Sequence, residues 1–253
     1  MNILHSPNNK KFVAYNKTTT AKKKAPYVIF HHGLMSDMNG DKALYIEKYC
    51  ADKEYNFIRF DNFGHGDASG SFQDETISSW LEGLNLVIKE LSKAPIILVG
   101  SSMGGWVSML AAINNPQIVG LVTISAAPDF TEELIWDKTN KQQRELLEKQ
   151  GVCEFKGSDP ECDHSYIISN KLVQDGKKHL LLTKNSINIP CPVHLIHGMK
   201  DVDVPFTISQ RSAEKIAHNN VVTKFIKDGN HSLSRLQDLQ VICNSIDEII
   251  AQQ

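Results

Sequence analysis

A serine flanked by glycines is the first group in this chain that could do chemistry. The segment Gly100-Ser101-Ser102-Met103-Gly104 matches the pattern G-x-S-x-G. An apolar run at 96–99, typical of a buried parallel strand, precedes it, and apolar residues at helical spacing follow over 106–113. Strand, tight turn and helix in this order predict an exposed nucleophile at Ser102. The alternative is a turn rich in glycine and serine that has no chemistry.

A serine hydroxyl needs a general base, and the base needs a carboxylate that fixes its tautomer. Asp201 follows a predicted strand that ends at His197, and His231 follows the last predicted strand. Because the carboxyl ends of parallel strands meet at one edge of a sheet, these residues should lie close to Ser102. We therefore predict Ser102 as nucleophile, His231 as general base and then acid, and Asp201 as the residue that orients His231.

Other residues compete for these roles. Asp203 could replace Asp201, but Gly198-x-x-Asp places Asp201 earlier in the turn, whereas Asp203 directly precedes Val204 and Pro205. Ser101 neighbours the predicted nucleophile, but the pattern selects Ser102. Five other histidines are weaker candidates for the base because none of them follows the last strand: His31, His32, His65, His194 and His197. Three of them, His31, His32 and His197, lie near predicted strand ends, where a histidine often only ties loops together by hydrogen bonds.

Two backbone N–H groups are expected to bind the oxyanion that forms during acyl transfer. One belongs to Met103, directly after the nucleophile, and the other to Leu34, in the loop after the strand at 28–30. Loss of one such donor typically costs about 3 kcal/mol of transition-state stabilisation.

Strand and helix patterns alternate along most of the 253 residues, which predicts a mostly parallel, doubly wound sheet in one α/β domain spanning 1–253. The alternation breaks over 128–188, and we predict a lid insertion there, beginning with a helix over 131–150. Short extended pieces over 151–160 and 166–168 and a second helix over 170–182 are predicted to follow. Ile135 and Trp136 lie early in the first of these helices, and we predict that they cover an acyl chain on Ser102. An equally weighted alternative is that they only pack the lid insertion onto the sheet.

Composition excludes several classes of function. The net charge of −2 provides no basic field for nucleic acid, and no apolar run is long enough to span a membrane. The five cysteines are odd in number and scattered without a C-x-x-C pair, so we expect reduced thiols and no metal site. Arginine occurs only at 59, 144, 211 and 235, and lysine is preferred elsewhere, which suggests an AT-rich genome. Because no signal peptide is recognisable either, we expect a bacterial cytoplasmic protein.

The motifs resemble those of the α/β-hydrolase superfamily, and in particular the mitochondrial palmitoyl-protein thioesterases, which also cleave acyl glucuronides. The resemblance covers nearly the whole chain and implies Ser102, Asp201 and His231 as the catalytic triad. It also implies ester or thioester substrates with an acyl chain. The lid insertion differs most from that family. The similar segments are His32-Gly33-Leu34, Met38-Asn39-Gly40-Asp41-Lys42-Ala43, Ile58-Arg59-Phe60-Asp61, the segment at 98–106, and Leu195-Ile-His-Gly-Met-Lys-Asp201.

These observations favour a serine hydrolase that acts on small or acyl-chain esters or thioesters, an acylated protein among them, without metal or cofactor. One alternative is a ligand-binding protein of the same fold that has lost catalysis. Such a protein would not need Ser102, Asp201 and His231 in the order and positions of a catalytic triad. Another is a peptidase or carbon–carbon hydrolase that uses the same triad. The oligomeric state stays open.

Overall fold

An eight-stranded sheet forms the centre of the protein. The structure is a computed structural model that describes residues 1–8, 10–21, 25–157 and 165–253. The strand order is β1-β2-β4-β3-β5-β6-β9-β10, in which β2 pairs antiparallel with both of its neighbours and all other pairs are parallel. The predicted fold class is confirmed. The sheet strands are β1 (Asn2–His5), β2 (Phe12–Thr18), β3 (Tyr27–His31), β4 (Asn56–Asp61), β5 (Ile96–Ser101), β6 (Ile118–Ile124), β9 (Val193–Gly198) and β10 (Val221–Ile226).

Helices cover both faces of the sheet. One face carries α1 and α7, which share an apolar core with Val28, Val99 and Ile196. The other face carries α2 and α3, and the three side chains Trp80, Leu84 and Val87 form the buried stripe of α2 at helical spacing. The helices are α1 (Asp41–Asp52), α2 (Ile77–Leu91), α3 (Met103–Asn114), α4 (Lys141–Gln150), α5 (Asn170–Gly176), α6 (Thr207–Lys215) and α7 (Leu236–Ile250).

The lid insertion (128–188) differs from its predicted form. A turn of π-helix over Thr131–Ile135 and a 3-10 turn over Trp136–Lys138 replace the first half of the predicted helix, and α4 starts only at Lys141. The prediction was wrong here because Asn140 caps α4. Its side chain accepts from the Gln143 N–H while its own backbone is extended, which interrupts the helix.

Further along the lid insertion, two antiparallel strands form a hairpin, β7 (Val152–Lys156) and β8 (Ser165–Ser169). This pair lies where short extended pieces were expected, and residues 158–164 between the strands, including Cys162, lie outside the described residues. The second predicted helix, over 170–182, is shorter in the structure. It consists of α5 and a 3-10 turn over Lys177–His179.

A buried aspartate joins the two ends of the lid insertion. Asp129 follows β6 with a positive φ of 61°, and its carboxylate accepts hydrogen bonds at 2.7 Å from both the Leu181 and Leu182 N–H groups. Burial raises the pKa of this carboxyl group, and the two backbone hydrogen bonds partly counter that effect. The two ends of the lid insertion therefore meet at a single side chain.

The part of the chain that the structure describes contains no helix long and apolar enough to cross a membrane. Within the same residues, Cys50, Cys153, Cys191 and Cys243 are buried free thiols.

Candidate active site

Ser102 occupies a strained turn between β5 and α3. Its φ and ψ are 53° and −118°, a conformation that L-residues rarely adopt unless their surroundings impose it. The Ser102 N–H donates to the Ile124 oxygen at 2.8 Å, and the Ser102 carbonyl accepts from the Ala127 N–H at 3.1 Å. These contacts with β6 and the segment after it hold the backbone on both sides.

The glycines of the motif are required by close packing. A Cβ atom on Gly104 would collide with the carbonyl oxygens of His31 and His32, and one on Gly100 would collide with the carbonyl oxygen of Gly104. Only glycine permits the turn and the neighbouring strand end to approach this closely.

His231 connects Ser102 to Asp201. Its Nε2 lies 3.0 Å from the Ser102 Oγ, and its Nδ1 lies 2.7 Å from Asp201 Oδ2. Since a carboxylate only accepts, the proton of the neutral ring belongs on Nδ1, and the Nε2 lone pair faces the serine hydroxyl. The His231 side chain is 26% exposed, whereas Asp201 is fully buried. This arrangement can take the hydroxyl proton while the carboxylate stabilises the resulting cation.

Asp201 is held by four hydrogen bonds. Its Oδ1 accepts from the Asp203 and Val204 N–H groups at 3.0 and 2.8 Å, and its Oδ2 interacts with His231 and His197. Burial raises the pKa of this carboxyl group, but hydrogen bonds from the two histidines more than offset burial and hold the pKa well below its usual range. Asp201 is therefore the carboxylate that faces His231, and Asp203 contributes its backbone N–H.

Among the residues that the structure describes, one cluster of side chains could bind a metal ion, and it consists of Asp201, Asp203 and His231. Ligand atoms of Asp201, Asp203 and His231 all lie within 4.8 Å of one another. The atoms of Asp201 and His231 are already used in the hydrogen-bond chain to Ser102. This donor set therefore fits a proton relay better than a cation.

The loop after β3 lies against Ser102 and carries one predicted oxyanion-hole donor. A Cβ atom placed on Gly33 would lie 3.3 Å from the Ser102 Cβ. His32 Nδ1 donates to the Gly33 carbonyl at 2.8 Å and thereby fixes the peptide unit that also carries the Leu34 N–H. Within the described residues, neither the Leu34 nor the Met103 N–H has an acceptor in the protein. Both donors are thus available to a ligand beside Ser102.

A buried cluster of three histidines supports this loop. The Met35 N–H donates to His65 Nε2 at 3.2 Å, and the His32 and His65 rings lie 4.7 Å apart. Burial lowers the pKa of His32 to about 4, and burial together with His32 lowers that of His65 to about 3. Burial also lowers the pKa of His31. These rings therefore stay neutral near pH 7, and His65 acts as an acceptor. A role in tying loops together is the alternative expected for His32 from its place near a strand end, whereas no sequence signal indicates the contact between His65 and Met35.

The neutral histidines predict how stability depends on pH. In the unfolded chain they take up protons near pH 6.5, whereas the folded protein holds them neutral down to about pH 4 for His32 and about pH 3 for His65. Because the unfolded state then binds more protons, the free energy of unfolding should fall as pH drops from about 6.5 to 4. Urea unfolding at several pH values measures this slope. His65→Gln keeps an acceptor for Met35 but cannot titrate, so its slope should be shallower; an unchanged slope would contradict this account.

A small polar cavity opens beside Ser102 and His231. It has a volume of about 150 Å³ and contains Ser102 and His231. The Lys42 ammonium donates to the Ser232 carbonyl at 2.6 Å, and burial lowers the pKa of this lysine. A larger cavity of about 610 Å³ lies between α2 and α3 and includes neither residue. The polar lining side chains of the small cavity, apart from Ser102 and His231, are His32, Ser36, Asp37, Asp41, Lys42, Ser101 and Ser232.

The predicted acyl-binding residues do not line this cavity. The Trp136 ring centroid lies 5.1 Å from the Arg144 guanidinium carbon and 4.7 Å from the Lys177 ammonium, and Ile135 is buried in the core below the lid insertion. Arg144 lies in the first turn of α4, shortly after the cap at Asn140. In the structure both residues pack within the lid insertion, and their contact with an acyl chain on Ser102 stays a prediction.

Fold and site together are those of an α/β protein in which Ser102, the predicted nucleophile, lies at a strand-to-helix turn. Residues 26–152 match the alpha/beta hydrolase fold family, and the chain belongs to that family. Palmitoyl-protein thioesterase ABHD10, mitochondrial, from Bos taurus is 34% identical over 90% of this chain and 74% of its own length. The Homo sapiens protein of that name is 33% identical over 94% of this chain and 76% of its own length.

Structure comparison gives the same result. Alpha/beta hydrolase domain-containing protein 10 from mouse superposes with a TM-score of 0.89 at 29% identity, covering 99% of this chain and 98% of the mouse chain. These relatives confirm the predicted family resemblance and identify the protein as a hydrolase.

The predicted bacterial cytoplasmic location is wrong by the same comparison. The bovine and human relatives are both named as mitochondrial proteins. The scarcity of arginine carries no physical information about the compartment in which a folded domain works.

Proposed function

We propose that this protein is a serine hydrolase that cleaves carboxylic esters or thioesters through an acyl-enzyme intermediate. The observation that carries the proposal is the hydrogen-bond chain from Ser102 through His231 to Asp201. The similarity to thioesterases supports the reaction class. Since the bovine relative is named for palmitoyl-protein, thioesters on protein cysteines are included among the proposed substrates.

In the proposed reaction, His231 removes the Ser102 proton as Oγ attacks the substrate carbonyl. The Leu34 and Met103 N–H groups stabilise the oxyanion, and the cation of His231 is stabilised by Asp201. His231 then returns the proton to the leaving alcohol or thiol, and Ser102 holds the acyl group. His231 then deprotonates a water molecule that attacks the acyl carbonyl carbon, and it returns this proton to Ser102 Oγ as the acid is released. No metal or cofactor enters these steps.

The size of the cavity predicts how rate depends on acyl length. At about 150 Å³ it is smaller than the roughly 300–1,000 Å³ typical of pockets that enclose whole ligands, so it holds only part of a substrate. Each buried methylene contributes about 0.8 kcal/mol, or about fourfold in kcat/KM. We expect kcat/KM to rise with acyl length over the first few carbons and then level off. Matched p-nitrophenyl esters and acyl thioesters from two to sixteen carbons, with an S-palmitoyl peptide, measure this series.

Each outcome of this series has a distinct meaning. Hydrolysis of esters or thioesters that depends on Ser102 supports the proposed reaction. Labelling of Ser102 by a fluorophosphonate probe without turnover of any member would favour a peptidase or carbon–carbon hydrolase. Absence of both labelling and turnover would favour a ligand-binding protein that has lost catalysis.

A further inference from the structure

Besides His231, a further histidine contacts the Asp201 carboxylate, and this one is buried. His197 lies near the end of β9 and is completely buried. Its Nε2 lies 3.0 Å from Asp201 Oδ2 and 2.9 Å from the Val204 carbonyl oxygen, and its Nδ1 lies 2.7 Å from the Ser209 Oγ on α6. The reaction outlined above does not use this side chain.

The partners of His197 fix its tautomer. Both neighbours of Nε2 are acceptors, a carboxylate and a carbonyl oxygen, so the Nε2 position must carry a proton. In the neutral ring Nδ1 is then an acceptor, and the Ser209 hydroxyl can donate to it. The first turn of α6 thereby locks the ring with its N–H directed at Asp201.

Two imidazoles consequently share one carboxylate oxygen. His231 Nδ1 and His197 Nε2 both contact Asp201 Oδ2, at 2.7 and 3.0 Å, while Oδ1 is occupied by two backbone N–H groups. All four hydrogen bonds that a carboxylate readily accepts are therefore made. The hydrogen bond from His197 partly neutralises the negative charge on Oδ2, which weakens the attraction between that oxygen and a protonated His231.

We propose that His197 is a positioning residue for the reaction: it fixes the orientation of the Asp201 carboxylate and limits how strongly that carboxylate stabilises protonated His231. This inference rests on the proposed function, since it concerns the base of that reaction. A general base works best when it is neutral at the operating pH. Without His197 the carboxylate would stabilise protonated His231 more strongly and would be held by three hydrogen bonds instead of four.

The other charged groups near this pair come from three elements. Asp203 lies in the same loop as Asp201, and Tyr166 on β8 has its pKa raised by burial and by Asp203. Asp37, Asp41 and Lys42 reach the same cavity as His231 from the start of α1 and the loop before it. None of these groups contacts His197, so they remain in place when only His197 is changed.

Two amide substitutions form a matched test. In His197→Gln, the longer side chain can place an N–H where Nε2 donates to Asp201, whereas His197→Asn is too short and reaches only towards Ser209. We expect His197→Asn to lose about 10- to 100-fold in kcat/KM. We also expect the acid limb of its pH profile to move up by about one pH unit, since one hydrogen bond to the carboxylate is lost. His197→Gln should restore most of the rate and return the acid limb towards its wild-type position.

The controls separate positioning from simple structural support. Equal losses in both variants with an unshifted acid limb would mean a structural role only, and wild-type rates in both would mean no role; either result overturns the proposal. Thermal unfolding checks that the variants fold. If His197→Asn does not fold, Ser209→Ala serves instead, and an unchanged pH profile there overturns the proposal. Failure of fluorophosphonate to label wild-type Ser102 would instead reject the proposed function itself.

Discussion

Replacing Ser102 by alanine is expected to lower kcat for ester or thioester hydrolysis by about 10⁶-fold and to abolish labelling by a fluorophosphonate probe. Without Oγ there is no nucleophile to form the acyl-enzyme, although the oxyanion donors and the cavity remain. Loss of one partly exposed hydroxyl leaves the core unchanged, so the thermal unfolding midpoint should stay close to that of the wild type. Steady-state rates, probe labelling and thermal unfolding on the same preparations measure all three quantities.

The neighbouring serine supplies the matched control. Ser101 ends β5 and is the other serine of the motif, but its side chain makes no hydrogen bond to His231. Ser101→Ala should therefore keep both labelling and turnover. Activity close to wild type in Ser102→Ala, or loss of labelling in Ser101→Ala alone, would show that the nucleophile has been assigned to the wrong residue.

The second large effect is expected from Asp201→Asn, which should lower kcat by about 10⁴-fold. The amide that replaces the carboxylate can donate to His231 Nδ1, which favours the tautomer with its proton on Nε2. That nitrogen could then no longer accept the Ser102 proton. Asp203→Asn is the control: its backbone N–H to Asp201 is retained, so only a minor loss is expected. A greater loss in Asp203→Asn than in Asp201→Asn would reverse the assignment of the acid.

The pH profile of the wild-type enzyme tests the same arrangement. Hydrogen bonds from His197 and His231 outweigh burial and hold the pKa of Asp201 well below its usual range, so this carboxylate stays ionised from weakly acid to alkaline pH. Loss of activity on acidification should therefore follow a single protonation, that of His231, and kcat/KM should fall as the pH is lowered. A two-proton acid limb in the wild type would mean that Asp201 also titrates.

Much of the fold was encoded locally and was predictable. Alternating apolar strands and amphipathic helices, together with G-x-S-x-G between a strand and a helix, are signals that short stretches of chain carry alone. The positions of Ser102, Asp201 and His231 after predicted parallel strands indicated that they lie close together, because the loops that follow parallel strands lie at one edge of the sheet. The structure places these side chains within hydrogen-bonding distance.

What the tertiary structure alone decided depends on contacts between distant segments. Trp136 packs against Lys177 in a later part of the lid insertion, and Asp129 accepts hydrogen bonds from Leu181 and Leu182, more than fifty residues away. The hydrophobic periodicity of the sequence does not indicate such contacts, because they form only after folding has brought the distant residues together. The role inferred for His197 has the same origin, because a lone histidine near a strand end has no distinguishing pattern until α6 and the Asp201 loop surround it.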